Sequence, residues 1–187
     1  ALERLGSEQM DVRPGGVYAL DHVARDSAPH HDDVIEVLET LIRRRAPAAR
    51  HQDQDGPRLG WRPRLPDRPD ADVQAALTAL ATRPHRPERR TLDLGQLHLA
   101  HARLTGADLT GADLTGADLT SARLTRANLI HADLWDARLA RARLARARLT
   151  RADLTGADLC GADLRRTQGK TAEQVRSMAR TDETSRF

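Results

Sequence analysis

Residues 104–120 read LTGADLTGADLTGADLT, one five-residue unit written three times. The period runs well beyond this stretch. A leucine stands at every fifth position, as Leu94, Leu99, Leu104, Leu109, Leu114, Leu119, Leu124, Leu129, Leu134, Leu139, Leu144, Leu149, Leu154, Leu159 and Leu164. Alanine stands two residues before each leucine from Ala102 to Ala162, and Leu92 and Leu97 hold that place in the first two units. Five suits neither regular element. Ala, Leu and Arg favour helix locally, yet five residues turn an α-helix by about 500°, so the leucines would share no face. In one long strand an odd period sends successive leucines to opposite sides. A chain that turns a corner once per unit keeps every leucine inside, with the small alanine beside it.

The units ADLTG (107–111), ANLIH (127–131) and ADLCG (157–161) resemble the pentapeptide repeat family, A-(D/N)-L-x-x, and the resemblance covers residues 92–166. It implies a mainly β repeat fold: a right-handed quadrilateral parallel β-helix with four units per coil, the leucine and alanine pointing inward. The physics agrees with this reading. Stacked coils lie about 4.8 Å apart, and each covers the open face of its neighbour. Leu92 and Leu97 are too large for the alanine place and read as an N-terminal plug. At the other end TAEQVRSMAR (171–180) reads as a helix with a capping box from Thr171 to Gln174. Val175 and Met178 would cover the last coil, which keeps the sheet end from pairing with other chains.

The flanks divide by pattern. Residues 1–45 read as an α-helical, hairpin-like region. Leu2 and Leu5 would end an incoming helix at Gly6. Asp11 would cap the next, with Pro14 in its first turn and Val17, Leu20 and Ala24 at helical spacing. DVRPGGVYALDHVA (11–24) resembles a HEAT-type hairpin. A second helix, His31 to Arg45, carries Val34, Val37, Leu38, Leu41 and Ile42 as its stripe, and Arg43 to Arg45 suit its C-terminal end. Residues 46–70 hold five prolines and no apolar period and read as a linker in which Trp61 alone would dock. Residues 71–90 give a short helix (Val73, Ala76, Leu77, Leu80) and a connector. Residues 91–166 are the repeats, and 167–187 the C-terminal capping helix and tail.

Composition narrows the rest. With two Trp, one Tyr and one Phe in 187 residues, Leu and Ala must build the core. The 30 basic and 27 acidic groups nearly cancel, to +3, and no segment is a basic or acidic tail. The high pI therefore does not by itself imply nucleic acid. The single Cys160 excludes an internal disulfide framework and a four-cysteine zinc site, and it fits a reducing compartment. No run of about 18 apolar residues occurs. The chain opens ALERLGSEQ, without Met and in mid-helix, and reads as a piece of a longer protein. The resemblance extends to actinobacterial pentapeptide repeat proteins with membrane helices upstream. It implies a cytoplasmic location, with a membrane-tethered, cytoplasm-facing parent and membrane contact only through a segment before residue 1.

Four units per coil place residues 20 apart in vertical stacks. One face then carries an acidic rail, Asp93, Asp113, Asp133 and Asp153. Another carries Arg103, Arg123 and Arg143 and ends in Asp163. Its corner adds Arg126, Arg146 and Arg166, and the next face adds Arg148 and Arg151. On the remaining face Asp118, Arg138 and Asp158 should pair along the stack. Ile130 and Trp135 break the Thr/Ala habit on adjacent faces, as a partner anchor or as a seat for the N-terminal helices or linker. The charged rows are solvated surface or docking sites. Like charges stacked about 4.8 Å apart repel, and a partner would relieve that.

Chemistry is harder to find. His30, His31, Asp32 and Asp33 hint at a metal, but neighbours on a helix point apart, and the group reads as a helix start. His98, His101 and His131 fall on outer faces with no second ligand set. Asp158 and Asp163 near Cys160 would raise its pKa. No phosphate loop or catalytic triad is present. The expectation is no catalytic residue, no metal, no cofactor and no enzyme. It is a non-catalytic protein–protein interaction scaffold presenting a charge-polarised rod to an unknown partner, a second copy of the chain included. Two alternatives are a DNA-mimic topoisomerase (gyrase) modulator or resistance protein, which some family members are, and direct nucleic-acid binding through the Arg edge. Both weigh less. Fifteen units make a rod of about 18 Å, the length of about five base pairs, and Arg outnumbers Asp within it.

Overall fold

Every repeat unit ends in the same turn. In the computed structural model, which describes residues 13–49, 65–84 and 90–187, the carbonyl of each repeat leucine from Leu99 to Leu159 accepts a hydrogen bond from the alanine N–H three residues on, and Leu164 from Thr167. Ala107 N to Leu104 O is 3.1 Å, Ala122 N to Leu119 O 3.0 Å and Ala147 N to Leu144 O 2.8 Å. The residue two after each repeat leucine has a positive φ at all fifteen places from Gln96 to Arg166, between 53° and 74°. Positive φ at the third of four turn residues is the signature of a type II turn. This recurring corner overrides the helix propensity of Ala, Leu and Arg.

Between corners each unit forms one rung, paired in parallel with the rung 20 residues later. Asp93 pairs with Asp113, then Asp133, then Asp153; Arg103 with Arg123, Arg143 and Asp163; Asp108 with Asn128, Arg148 and Gln168. The chain is thus a parallel solenoid with four sides per coil. Three bonds tie each side to the next coil: Leu114 N to Asp133 O (2.8 Å), Gly116 N to Trp135 O (2.8 Å) and Asp133 N to Ala112 O (2.9 Å) on the Asp93 side. The fifteen repeat leucines are at most 1 % exposed, and their alanines at most 2 %.

Three helices precede the solenoid: α1 (Arg13–Asp26), α2 (His31–Arg45, after a 3-10 turn Ala28–His30) and α3 (Ala71–Ala81). Each packs on the other two. Val17, Leu20 and Ala24 of α1 meet Val34, Leu38 and Ile42 of α2 and Val73, Ala76, Leu77 and Leu80 of α3 in one core, continuous with the repeat leucines. Val37 and Leu41 lie half-buried at its border. Leu92 and Leu97 are buried where the two parts meet. The readings of Leu2, Leu5, Gly6, Asp11 and Trp61 fall outside the described residues.

The helical part closes the open edge of the first coil side by side. Arg43 Nη1 donates to Asp93 Oδ1 (2.7 Å) on the first side. On the second, His98 N donates to Pro47 O (2.8 Å) and Ala49 N to Gln96 O (2.7 Å), with Ala48 forming an antiparallel bridge to Leu97. On the third, Gln74 of α3 takes both backbone groups of Arg103, Oε1 accepting from its N–H (2.9 Å) and Nε2 donating to its carbonyl (3.0 Å). On the fourth, Asp108 N donates to Ala81 O (3.1 Å). On the second, third and fourth sides, edge backbone groups that would template another strand are thereby satisfied. The described ends of segment 46–70 are seated on the coil, whereas its composition alone reads as an unattached linker. The missing cue is that backbone pairing needs no apolar period.

At the far end α4 (Ala172–Met178) carries the capping box, Gln174 N to Thr171 Oγ1 (3.2 Å) and Thr171 N to Gln174 Oε1 (2.9 Å). Val175 is buried and Met178 half-buried against the core. The tail does more than trail away. Arg180 pairs with Asp158, and Arg186 with Asp163, so two further rungs follow the helix. α4 occupies the place of a rung above the Asp153 side, where Met178 O accepts from Gly156 N (2.9 Å).

Candidate interaction surface

The outward position before each leucine has two uses, set by residue type. An aspartate there accepts a hydrogen bond from the N–H two residues on. Thr115 N donates to Asp113 Oδ1 (2.9 Å), Trp135 N to Asp133 (2.9 Å), Thr155 N to Asp153 (2.9 Å) and Gly95 N to Asp93 (3.0 Å). These are Asx turns that hold the corner. The acidic rail is therefore engaged in shaping its own coil, and Asp93 also holds Arg43 (2.7 Å). An arginine at this position cannot accept.

Arg103, Arg123, Arg143, Arg126, Arg146, Arg148 and Arg151 are all exposed. Among the described residues no ion pair or side-chain hydrogen bond engages their guanidinium groups. Arg103, Arg123 and Arg143 form a parallel ladder that ends at Asp163. Asp163 is held by Arg165 through two 2.8 Å bonds, which lower its pKa. The solenoid is polarised by use as well as by sign, with engaged carboxylates on one side and unengaged guanidinium groups on another. A cleft of about 300 Å³ opens at Arg146, Arg165 and Arg166.

Trp135 is 48 % exposed and Ile130 half-buried. Arg151 stands at the corner between their sides, so the apolar pair adjoins the Arg edge.

The His98 side departs from the expectation. His98 is buried, 7 % exposed, where the sequence places it on the outer surface. Its Nδ1 lies 2.9 Å from Asp118 Oδ2 and its Nε2 2.8 Å from Pro66 O. The hydrogen bond to Asp118 raises the His98 pKa against the opposing effect of burial. Burial would raise the Asp118 carboxyl, but hydrogen bonds from His98 and Thr120 outweigh it and bring it down to about 2. Arg138 stands 3.9 Å from Asp118, farther than His98, so the expected Asp118–Arg138 pairing is the weaker contact of that carboxylate. The signal was present, since 98 and 118 differ by one coil.

His101 and His131 are exposed, and His31 is buried in the helical core. Among the described residues no group of three or more His, Cys, Asp or Glu is placed to hold a metal ion. Cys160 is half-buried, and burial and Asp158 raise its thiol pKa. No helix among the described residues is long and apolar enough to cross a membrane.

Comparison with known proteins picks out the same repeated segment. The family described as pentapeptide repeats (8 copies) matches residues 93–126 and 127–166. Among solved structures, the chain is similar to HetL, a pentapeptide repeat protein involved in heterocyst differentiation regulation in the cyanobacterium Nostoc. Identity is 42 %, over 42 % of this chain and 36 % of HetL, with a TM-score of 0.41. The chain thus spans about a third of the length of that relative. A second Nostoc pentapeptide repeat protein is 29 % identical over 49 % of this chain and 86 % of its own, with a TM-score of 0.22. QnrB1, a plasmid-mediated fluoroquinolone resistance protein, is 15 % identical over 46 % of this chain and 51 % of its own, with a TM-score of 0.27. No curated protein matches.

Proposed function

We propose that this chain, whose residues 93–166 are pentapeptide repeats, is a non-catalytic scaffold that presents a charge-polarised rod to an acidic protein partner. The carrying observation is the contrast in side-chain use. The rail of Asp93, Asp113, Asp133 and Asp153 is committed to Asx turns, while the guanidinium groups of Arg103, Arg123, Arg126, Arg143, Arg146, Arg148 and Arg151 have no ion pair or side-chain hydrogen bond among the described residues. Unpaired like charges at coil spacing have a cost that a docked acidic surface relieves. Ile130 and Trp135 supply an apolar anchor beside that edge. The scaffold is a right-handed β-helix, with the helical part and α4 as its two ends. It acts in the cytoplasm as the soluble portion of a membrane-tethered parent.

The test is a crosslinking pull-down from the native host with the wild-type chain and with Arg123→Glu, Arg143→Glu and Arg146→Glu combined. The partner should be lost from the triple variant while its circular dichroism and melting stay unchanged. An unchanged pull-down reduces the Arg edge to solvated surface. Inhibition of gyrase supercoiling at micromolar protein would move the reading to topoisomerase modulation. Salt-dependent retardation of DNA would move it to nucleic-acid binding.

A further inference from the structure

The Arg103 ladder is open along most of its length, but its first two rungs are walled. A cleft of about 490 Å³ lies between the start of α3 and the first two coils, lined by Arg68, Gln74, His101, Arg103, Ser121 and Arg123. We propose that this cleft binds a small phosphate-bearing anion.

Both walls are fixed by bonds independent of any ligand. Gln74 clamps α3 onto both backbone groups of Arg103 (2.9 and 3.0 Å). The carbonyl of Pro66, just before the Arg68 wall, accepts from the buried His98 Nε2 at 2.8 Å. Within these walls Arg103 and Arg123 are bridged rung to rung, so their side chains leave the same face one coil apart. Two guanidinium groups so placed repel each other and suit the several acceptor oxygens of one phosphate. Arg68 faces them from the opposite wall, and the Ser121 hydroxyl and His101 imidazole add donors at the adjoining corner. Among the described residues the lining holds one carboxylate, Asp67, and it has an interaction of its own. The volume falls in the range of small-molecule sites. Among the described residues the lining includes no Phe, Tyr or Trp, and the polar groups it offers suit the phosphate itself. The site shares Arg103 and Arg123 with the scaffold reading, whereas Arg126, Arg146, Arg148 and Arg151 lie outside the cleft, so variants there separate the two.

Titration calorimetry of the full chain with pyrophosphate tests the assignment, with sulfate and an Asp/Glu-rich peptide as comparison ligands. Wild type should bind one pyrophosphate saturably and more tightly than sulfate. Arg103→Gln combined with Arg123→Gln should weaken binding at least about tenfold, as expected for lost charge-assisted hydrogen bonds. Arg68→Gln, on the wall outside the coils, should weaken it in the same direction and serves if the double variant does not fold. Arg146→Gln with Arg166→Gln, away from the cleft, should leave binding within about twofold, less than one lost hydrogen bond. Absence of saturable binding overturns the proposal, as does equal weakening in both double variants, which would mark diffuse charge attraction. Tighter binding of the peptide than of pyrophosphate, lost with Arg103 and Arg123, would reassign the cleft to an acidic protein segment.

Discussion

Replacing Asp118 by Asn tests whether the buried His98–Asp118 pair holds the segment before α3 against the solenoid. The change keeps shape, and it keeps the Oδ1 that accepts from Thr120 N (3.1 Å) and Thr120 Oγ1 (2.6 Å). It removes the charge 2.9 Å from His98 Nδ1. The magnitude follows from the carboxyl. A fall from 3.8 to about 2 corresponds to roughly 2 kcal/mol of folded-state stabilisation. Asp118 is 4 % exposed, so solvent does little to screen it.

The signs of the two members differ. The depressed Asp118 pKa stabilises the fold above pH 3.8, and this is lost as pH falls toward 2. The raised His98 pKa stabilises the fold below its unfolded value of 6.5, and this is lost as pH rises through the folded value. Both describe one pair and are not summed. Wild type is therefore most stable between about pH 4 and 6.5 as far as this pair is concerned. At pH 5.5 Asp118→Asn should lose roughly 2 kcal/mol, a fall of about 4–8 °C in melting temperature for a chain of this size. At pH 8.5 the loss should shrink. A neutral His98 then needs only one acceptor, Pro66 O, and can accept from the new amide. Circular dichroism melts at the two pH values decide. Equal melting of both proteins at pH 5.5, or a loss that is the same at both pH values, would refute the reasoning.

Four further outcomes follow from the coil. Gly106 has φ +69° and open space where a Cβ would sit, so Gly106→Ala should cost about 1 kcal/mol from backbone conformation alone. Arg126→Gly, at φ 60°, should stabilise by a similar amount, and urea midpoints of opposite sign would show both. Leu129→Ala, at a fully buried mid-stack position, should cost about 3–5 kcal/mol in the same assay. Gln74→Ala should cost roughly 1–3 kcal/mol by leaving both backbone groups of Arg103 without their partner. Hydrogen exchange should then quicken at the Arg103 amide while the Arg123 amide, bonded to Ala102 O (2.9 Å), stays protected.

The interior was legible because every leucine meets the same neighbours. A strict period of five admits one repeated corner, and spacing alone then stacks Arg103 with Arg123 and Asp93 with Asp113. The same spacing stacks His98 with Asp118, yet the burial of that pair depends on the segment around Pro66 lying over it. The Arg103 wall is similar. Its charge is plain in the sequence, but the cleft exists because Gln74 of α3 reaches a backbone 29 residues away. The Asp rail looked like a field of free charge. Its carboxylates are engaged two residues downstream, a bond that the Asx-turn preference of aspartate makes readable.

The sequence by itself determined the period, the inward Leu and Ala, the capping box at Thr171 and the sign of charge on every side. Those features are local, repeated every five or 20 residues, and need no knowledge of distant contacts. Tertiary structure alone decided how the solenoid ends. Helices α2 and α3 and residues 46–49 bond to the first coil, and α4 stands in for a rung before Arg180 and Arg186 resume the stack. An end has no next coil to pair with, so its backbone donors and acceptors take whatever partner folding brings within reach, and no spacing rule along the chain encodes which one that is.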